Sequence, residues 1–88
     1  MEDKVINAFS NPVRVSLLCC LSAGSKNVQQ LIDNCGLAQS AVSSHLIKLS
    51  RARIVKTEKN GRYVYYSLSN SKTGKIAQVL NNYIKDVN

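Results

Sequence analysis

The residues best equipped for chemistry lie in one stretch, Gln39 to Arg51. Gln39, Ser40, Ser43 and Ser44 carry short or flexible donors and acceptors, a set suited to base edges and phosphate oxygens. His45, Lys48 and Arg51 follow, and Arg53 lies just beyond, within reach of phosphates. A second set, Lys59, Asn60 and Arg62, brackets Gly61. Each serine has an alternative reading as ordinary solvated helix surface. His45 serves equally as a packed imidazole or a contact. Ile47, among the polar residues, either meets a thymine methyl or is simply exposed. Lys59 and Arg62 suit an anionic partner, or protect a strand edge against aggregation.

Other chemistry finds little support. No paired carboxylates share an element, no Cys–His pair has evident spacing, and no glycine loop is built to cradle phosphate, so an enzyme is not expected. A metal site needs three or four convergent ligands. One His and three scattered cysteines do not promise that, and neither metal nor cofactor is expected. Cys19, Cys20 and Cys35 read first as small buried hydrophobes, and a bridge between the adjacent Cys19 and Cys20 would be badly strained.

The elements that must position these residues follow from periodicity. Val42, Leu46 and Leu49 fall within one arc of a helix over Gln39–Arg51, with the serines and cations elsewhere on the wheel. Ala38 is a poor cap, so the helix start is left open between Gln39 and Ser40. Before it, Asn27 caps a helix whose Val28, Leu31, Ile32 and Cys35 share a face. Gly36 makes the turn and Leu37 plugs the corner. Upstream, Asn11-Pro12 opens a helix running to about Ala23, with Gly24 as a left-handed stop. That helix is apolar on two sides, so it must lie between layers, facing the helix pair on one side and the terminal helices on the other. Asp3–Phe9 forms a short first helix.

Downstream, Ile54–Glu58 and Arg62–Leu68, rich in β-branched and aromatic residues, read as strands around an Asn60-Gly61 hairpin turn. A polar linker, Ser69–Thr73, precedes a last helix through Ile76, Val79, Leu80, Tyr83, Ile84 and Val87. The fold expected is mainly α with a β-hairpin, one domain over residues 1–88, in the order α1-α2-α3-α4-β1-β2-α5.

Composition sets the frame. Twelve Lys/Arg against five Asp/Glu give a formal charge of +7, which favours a polyanionic partner, most often nucleic acid. A chain of 88 residues buries only roughly 60–65% of its unfolded surface, so a second copy is a natural source of further burial. No apolar run approaches the ~20 residues of a membrane helix. The opening MEDKVINAF has no secretory pattern, and the odd cysteine count lacks a disulfide-framework spacing; a cytoplasmic location is expected.

The motifs NPVRVSLL (Asn11–Leu18), GLAQSAVSSHLIKL (Gly36–Leu49), Ile54-Val55 and NGRYVYYSL (Asn60–Leu68) together resemble the ArsR/SmtB family of winged-helix repressors, over nearly the whole chain. The resemblance implies a homodimer through α1 and α5, here Val5, Ile6, Phe9, Ile76, Val79, Leu80, Tyr83, Ile84 and Val87. It implies α4 in a major groove and the hairpin, or wing, along the backbone. It also implies a palindromic double-stranded DNA operator, repressed until an inducer binds. The metal-binding elements of many relatives are missing: Asn27, Val28 and Gln29 stand where a Cys-X-Cys-type element occurs. LLCCL resembles the sulfide- and persulfide-responsive branch, with Cys19 at the matching cysteine, but the last helix has no second one. Two further readings are carried: a winged-helix module for protein–protein or RNA contacts, and a thiol-responsive repressor through Cys19.

Overall fold

The computed structural model describes residues 3–88; residues 1 and 2, at the head of MEDKVINAF, lie outside it. The element order is the one expected: α1 (Lys4–Ala8), α2 (Pro12–Leu21), α3 (Val28–Cys35), α4 (Gln39–Arg51), β1 (Val55–Asn60), β2 (Tyr63–Leu68) and α5 (Ser71–Val87).

Local signals set most boundaries. The Asp3 carboxylate accepts from the Val5 and Ile6 amides at 2.9 and 3.2 Å and starts α1. Asn11 Oδ1 does the same for Val13 at 2.8 Å, with Pro12 in the first turn of α2. Asn27 and Gln30 form a reciprocal capping box at the head of α3, and Gly36 ends that helix in the left-handed region at φ 66°.

Several boundaries differ from the sequence reading. Helix α2 stops at Leu21, two residues early. The Ser22 hydroxyl bonds the Cys19 carbonyl, and the Ala23 and Gly24 amides turn back to Cys20 and Leu21. Gly24, at φ 140°, is not in the left-handed helical region and so is not the stop. The hairpin pairs Asn60 with Tyr63, so Gly61-Arg62 is the two-residue turn, not Asn60-Gly61. Only Gly61 has positive φ there, as a turn with glycine first requires. Strand β1 accordingly starts at Val55 and runs on to Asn60, and β2 starts at Tyr63. Helix α5 begins at Ser71, because Asn70 Oδ1 caps the Lys72 amide at 2.9 Å; the linker shrinks to Ser69 and Asn70.

Helix α2 is the central element, packed against α5, α3, α4 and β2. Leu17, Leu18 and Leu21 from α2 join Leu31, Val42, Leu46, Leu49, Val55 and Ala77 in the core. At Gly74 of α5 a Cβ would stand 2.7 Å from Ser22 Cβ and 2.9 Å from Leu68 Cδ1, so the helix contact depends on that missing side chain. Lys26 and Tyr66 exchange backbone hydrogen bonds of 3.0 and 2.8 Å, which ties the α2–α3 connection to the hairpin.

Candidate nucleic-acid interface

Helix α4 starts at Gln39 without a side-chain cap on Ala38, so the open question about its start resolves at Gln39. Val42, Leu46 and Leu49 are buried beneath it. Half-buried Leu37 packs on the same core, as a corner plug should. The opposite crest carries Ser40, Ser44, Ile47 and Arg51, all exposed, at spacings of four, three and four. Ile47 is 52% exposed, so its apolar surface stands free on the polar side. Gln39 is exposed at the helix start and Lys48 near its end, whereas Ser43 is half-buried on the flank. Lys48 and Arg51 occupy the last turn, where positive charge suits the helix dipole.

His45 is half-buried. Its Nδ1 accepts from Arg14 Nε at 3.1 Å. A neutral ring that accepts at Nδ1 carries its proton on Nε2. Burial, followed by the Arg14 and Lys48 charges, holds its pKa below the ordinary 6.5. The ring is thus half-buried, with Nδ1 engaged by Arg14.

Arg14 itself was missed by sequence reasoning. Its Nη1 also donates to the Asn7 carbonyl and side-chain oxygens at 2.8 and 2.9 Å, so one guanidinium ties α1, α2 and α4 together. The signal was available. A cation in the first turn of a helix opposes the dipole, and one set in so apolar a helix calls for a tertiary partner. Lys4, Arg14, Lys48 and Arg51 also line a cleft of about 480 Å³ beside the end of α4, with no carboxylate among the described residues that line it.

Helix α4 ends in a Schellman arrangement. Ile54 N–H bonds the Leu49 carbonyl at 3.0 Å, with Arg53 at φ 61° where glycine is usual. Arg53, Lys59, Asn60 and Arg62 are all exposed. Lys59 pairs with Val64 within the strands while Arg62 sits in the turn, so they do not flank it symmetrically. The Arg62 guanidinium lies 5.8 Å from the Tyr63 ring centre.

The cysteines do not behave as three separate hydrophobes. Cys20 and Cys35 are joined in a disulfide across α2 and α3, while Cys19 is free and half-buried. From α5, Asn81 Nδ2 approaches Cys19 Sγ at 3.8 Å. Among the described residues no three or more His, Cys, Asp or Glu side chains gather as a metal site. Among the same residues no helix is long and apolar enough to cross a membrane.

A buried-backed helix with a polar crest, preceded by a helix and tight turn and followed by a two-stranded hairpin, is a winged helix-turn-helix. Residues 11–57 match the family model described as bacterial regulatory protein, arsR family. The chain is 33% identical to the transcriptional activator HlyU of Vibrio cholerae, over 86% of this chain and 70% of that one. It is also 33% identical to the transcriptional repressor PagR of Bacillus anthracis, over 92% and 84%. The structure of the repressor BigR from Xylella fastidiosa superposes with a TM-score of 0.79 at 29% identity, covering 91% of this chain and 82% of the other. The chain belongs to the arsR family of bacterial transcriptional regulators.

Proposed function

We propose that this chain acts in the cytoplasm as a homodimeric repressor, one DNA-binding unit per chain over residues 1–88, on a palindromic duplex operator. The observation that carries the reading is the exposed crest of α4, with Ser40 and Ser44 set directly opposite buried Val42, Leu46 and Leu49. Gln39, Ser40, Ser43 and Ser44 read base edges. Lys48, Arg51 and Arg53, with Lys59, Asn60 and Arg62 of the wing, meet phosphates. The +7 charge and the four cations lining the cleft beside α4 favour the same partner.

Val5, Ile6, Ile76, Val79, Tyr83 and Val87 leave a large apolar surface exposed on α1 and α5, of the kind that a second copy covers. Leu80 and Ile84 border it, while half-buried Phe9 packs on the chain's own core and contributes only its remaining edge.

The deciding experiment is a titration of fluorescent duplexes, chosen from a randomised pool, with wild type and with Ser40→Ala/Ser44→Ala. The expected result is loss of preference over random duplex in a variant whose circular dichroism is unchanged. Retained preference removes the reading face from α4. Val79→Glu is expected to yield monomers by light scattering; an unchanged mass overturns the α1–α5 interface.

A further inference from the structure

Cys20 lies in the last turn of α2, and Cys35 is the last residue of α3. Their Cα atoms are 6.6 Å apart, within the span a bridge tolerates. Only Gly36, Leu37 and Ala38 separate Cys35 from the start of α4. The bridge therefore fastens the joint of the helix-turn-helix to the central helix. Persistent disulfides are rare in a reducing cytosol, where those that form are usually transient and either catalytic or redox-sensing. On the DNA-binding reading above, that joint sets how α4 meets the duplex.

We propose that the Cys20–Cys35 pair is a site of reversible oxidation by small hydroperoxides, and that closing it tightens the hold of α4 on DNA. In the forward step the Cys20 thiolate attacks a peroxide oxygen. The O–O bond breaks, the alcohol (or water, from hydrogen peroxide) leaves with a proton, and Cys20 becomes a sulfenic acid. The Cys35 sulfur then attacks the Cys20 sulfur, the S–S bond forms, and the hydroxyl departs as water with the Cys35 proton. Two thiols and one hydroperoxide give one disulfide, one alcohol and one water, with two electrons passing from sulfur to oxygen. A dithiol reductant reverses the bridge by thiol–disulfide exchange.

Both cysteines are half-buried, which favours a small oxidant over a bulky disulfide. Each lies near a helix C-terminus, where the dipole opposes a thiolate. At Cys20 this is offset: the Lys26 ammonium donates to the Cys20 carbonyl at 3.1 Å. The cation beside its backbone favours Cys20 as the attacking sulfur. Once reduced, the sulfurs must stand roughly 1.5 Å or more farther apart than when bonded. The joint before α4 then gains freedom that DNA binding must remove again.

The test uses the full chain, reduced with dithiothreitol or oxidised with hydrogen peroxide, and duplexes selected from a randomised pool with each form. Peptide mapping is expected to show residues 20 and 35 cross-linked with the loss of two hydrogens. Affinity of the oxidised form is expected to be at least about fivefold higher. Cys20→Ser and Cys35→Ser lose that response and Cys19→Ser keeps it. Cys20→Ala/Cys35→Ala replaces any serine variant that fails to fold by circular dichroism, with the same loss expected. Absence of the 20–35 cross-link overturns the oxidation site, and equal affinity of the two forms overturns the coupling. If neither form selects a preferred duplex, the DNA reading itself falls. Amide hydrogen exchange at residues 36–39 then decides: faster exchange on reduction supports the fastening, and unchanged exchange overturns it.

Discussion

Arg14 and His45, 31 residues apart, share a hydrogen bond of 3.1 Å from guanidinium Nε to imidazole Nδ1. Because Arg14 also grips Asn7, the back of α4 is tied through one side chain to both α2 and α1. Arg14→Lys keeps the charge but loses the planar fork that reaches both partners. We expect a loss of about 2 kcal/mol in urea unfolding, since His45 and Asn7 each lose a donor. Weaker DNA binding should accompany it, because the reading helix loses its brace. Wild-type stability in Arg14→Lys would show the tie to be incidental.

Burial of the His45 ring, with the Arg14 and Lys48 charges beside it, gives stability a pH dependence. The folded state holds the His45 pKa below its ordinary 6.5, so the unfolded chain takes up the proton more readily. The contribution is therefore complete above pH 6.5 and is lost as pH falls through the lower, folded value. The thermal midpoint is expected to drop on acidification in that window. His45→Asn, which retains an acceptor for Arg14 and does not titrate, should flatten the profile; an unchanged slope would assign the effect elsewhere.

Gly74 tests the α2–α5 contact. Gly74→Ala gains helix propensity, but its new Cβ meets Ser22 Cβ at 2.7 Å and Ser22 Cα at 3.2 Å, atoms fixed by the backbone. Overpacking of this kind costs about 1–3 kcal/mol. A lowered thermal midpoint is expected; a raised one would mean that the helices separate freely.

Arg53 holds a left-handed conformation without being glycine. Arg53→Gly should relieve about 1 kcal/mol of backbone cost while removing a phosphate contact. Higher stability with weaker DNA binding is the expected pair of results. Gain in both would leave Arg53 no role on DNA.

The wing is judged by salt. Lys59→Ala and Arg62→Ala should each weaken binding across all duplex sequences and reduce the log–log salt slope by about 1. Unchanged slopes would place the exposed wing tip away from the phosphates.

Much of this protein is written locally. Asn11-Pro12, the Asn27–Gln30 box and Gly36 act through bonds that close within four residues, so helix starts and turns were legible from the chain. The spacing of Val42, Leu46 and Leu49 likewise determines which side of α4 faces inward, and therefore which serines face out. Hairpin register was legible only to within a residue, because Asn60-Gly61 and Gly61-Arg62 both satisfy turn chemistry and cross-strand pairing selects between them. The partners of Arg14, the Gly74 contact and the Cys20–Cys35 bridge lay beyond sequence reading. Each depends on how α2 is placed against another helix, and side-chain spacing along one element carries no information about the distance to another.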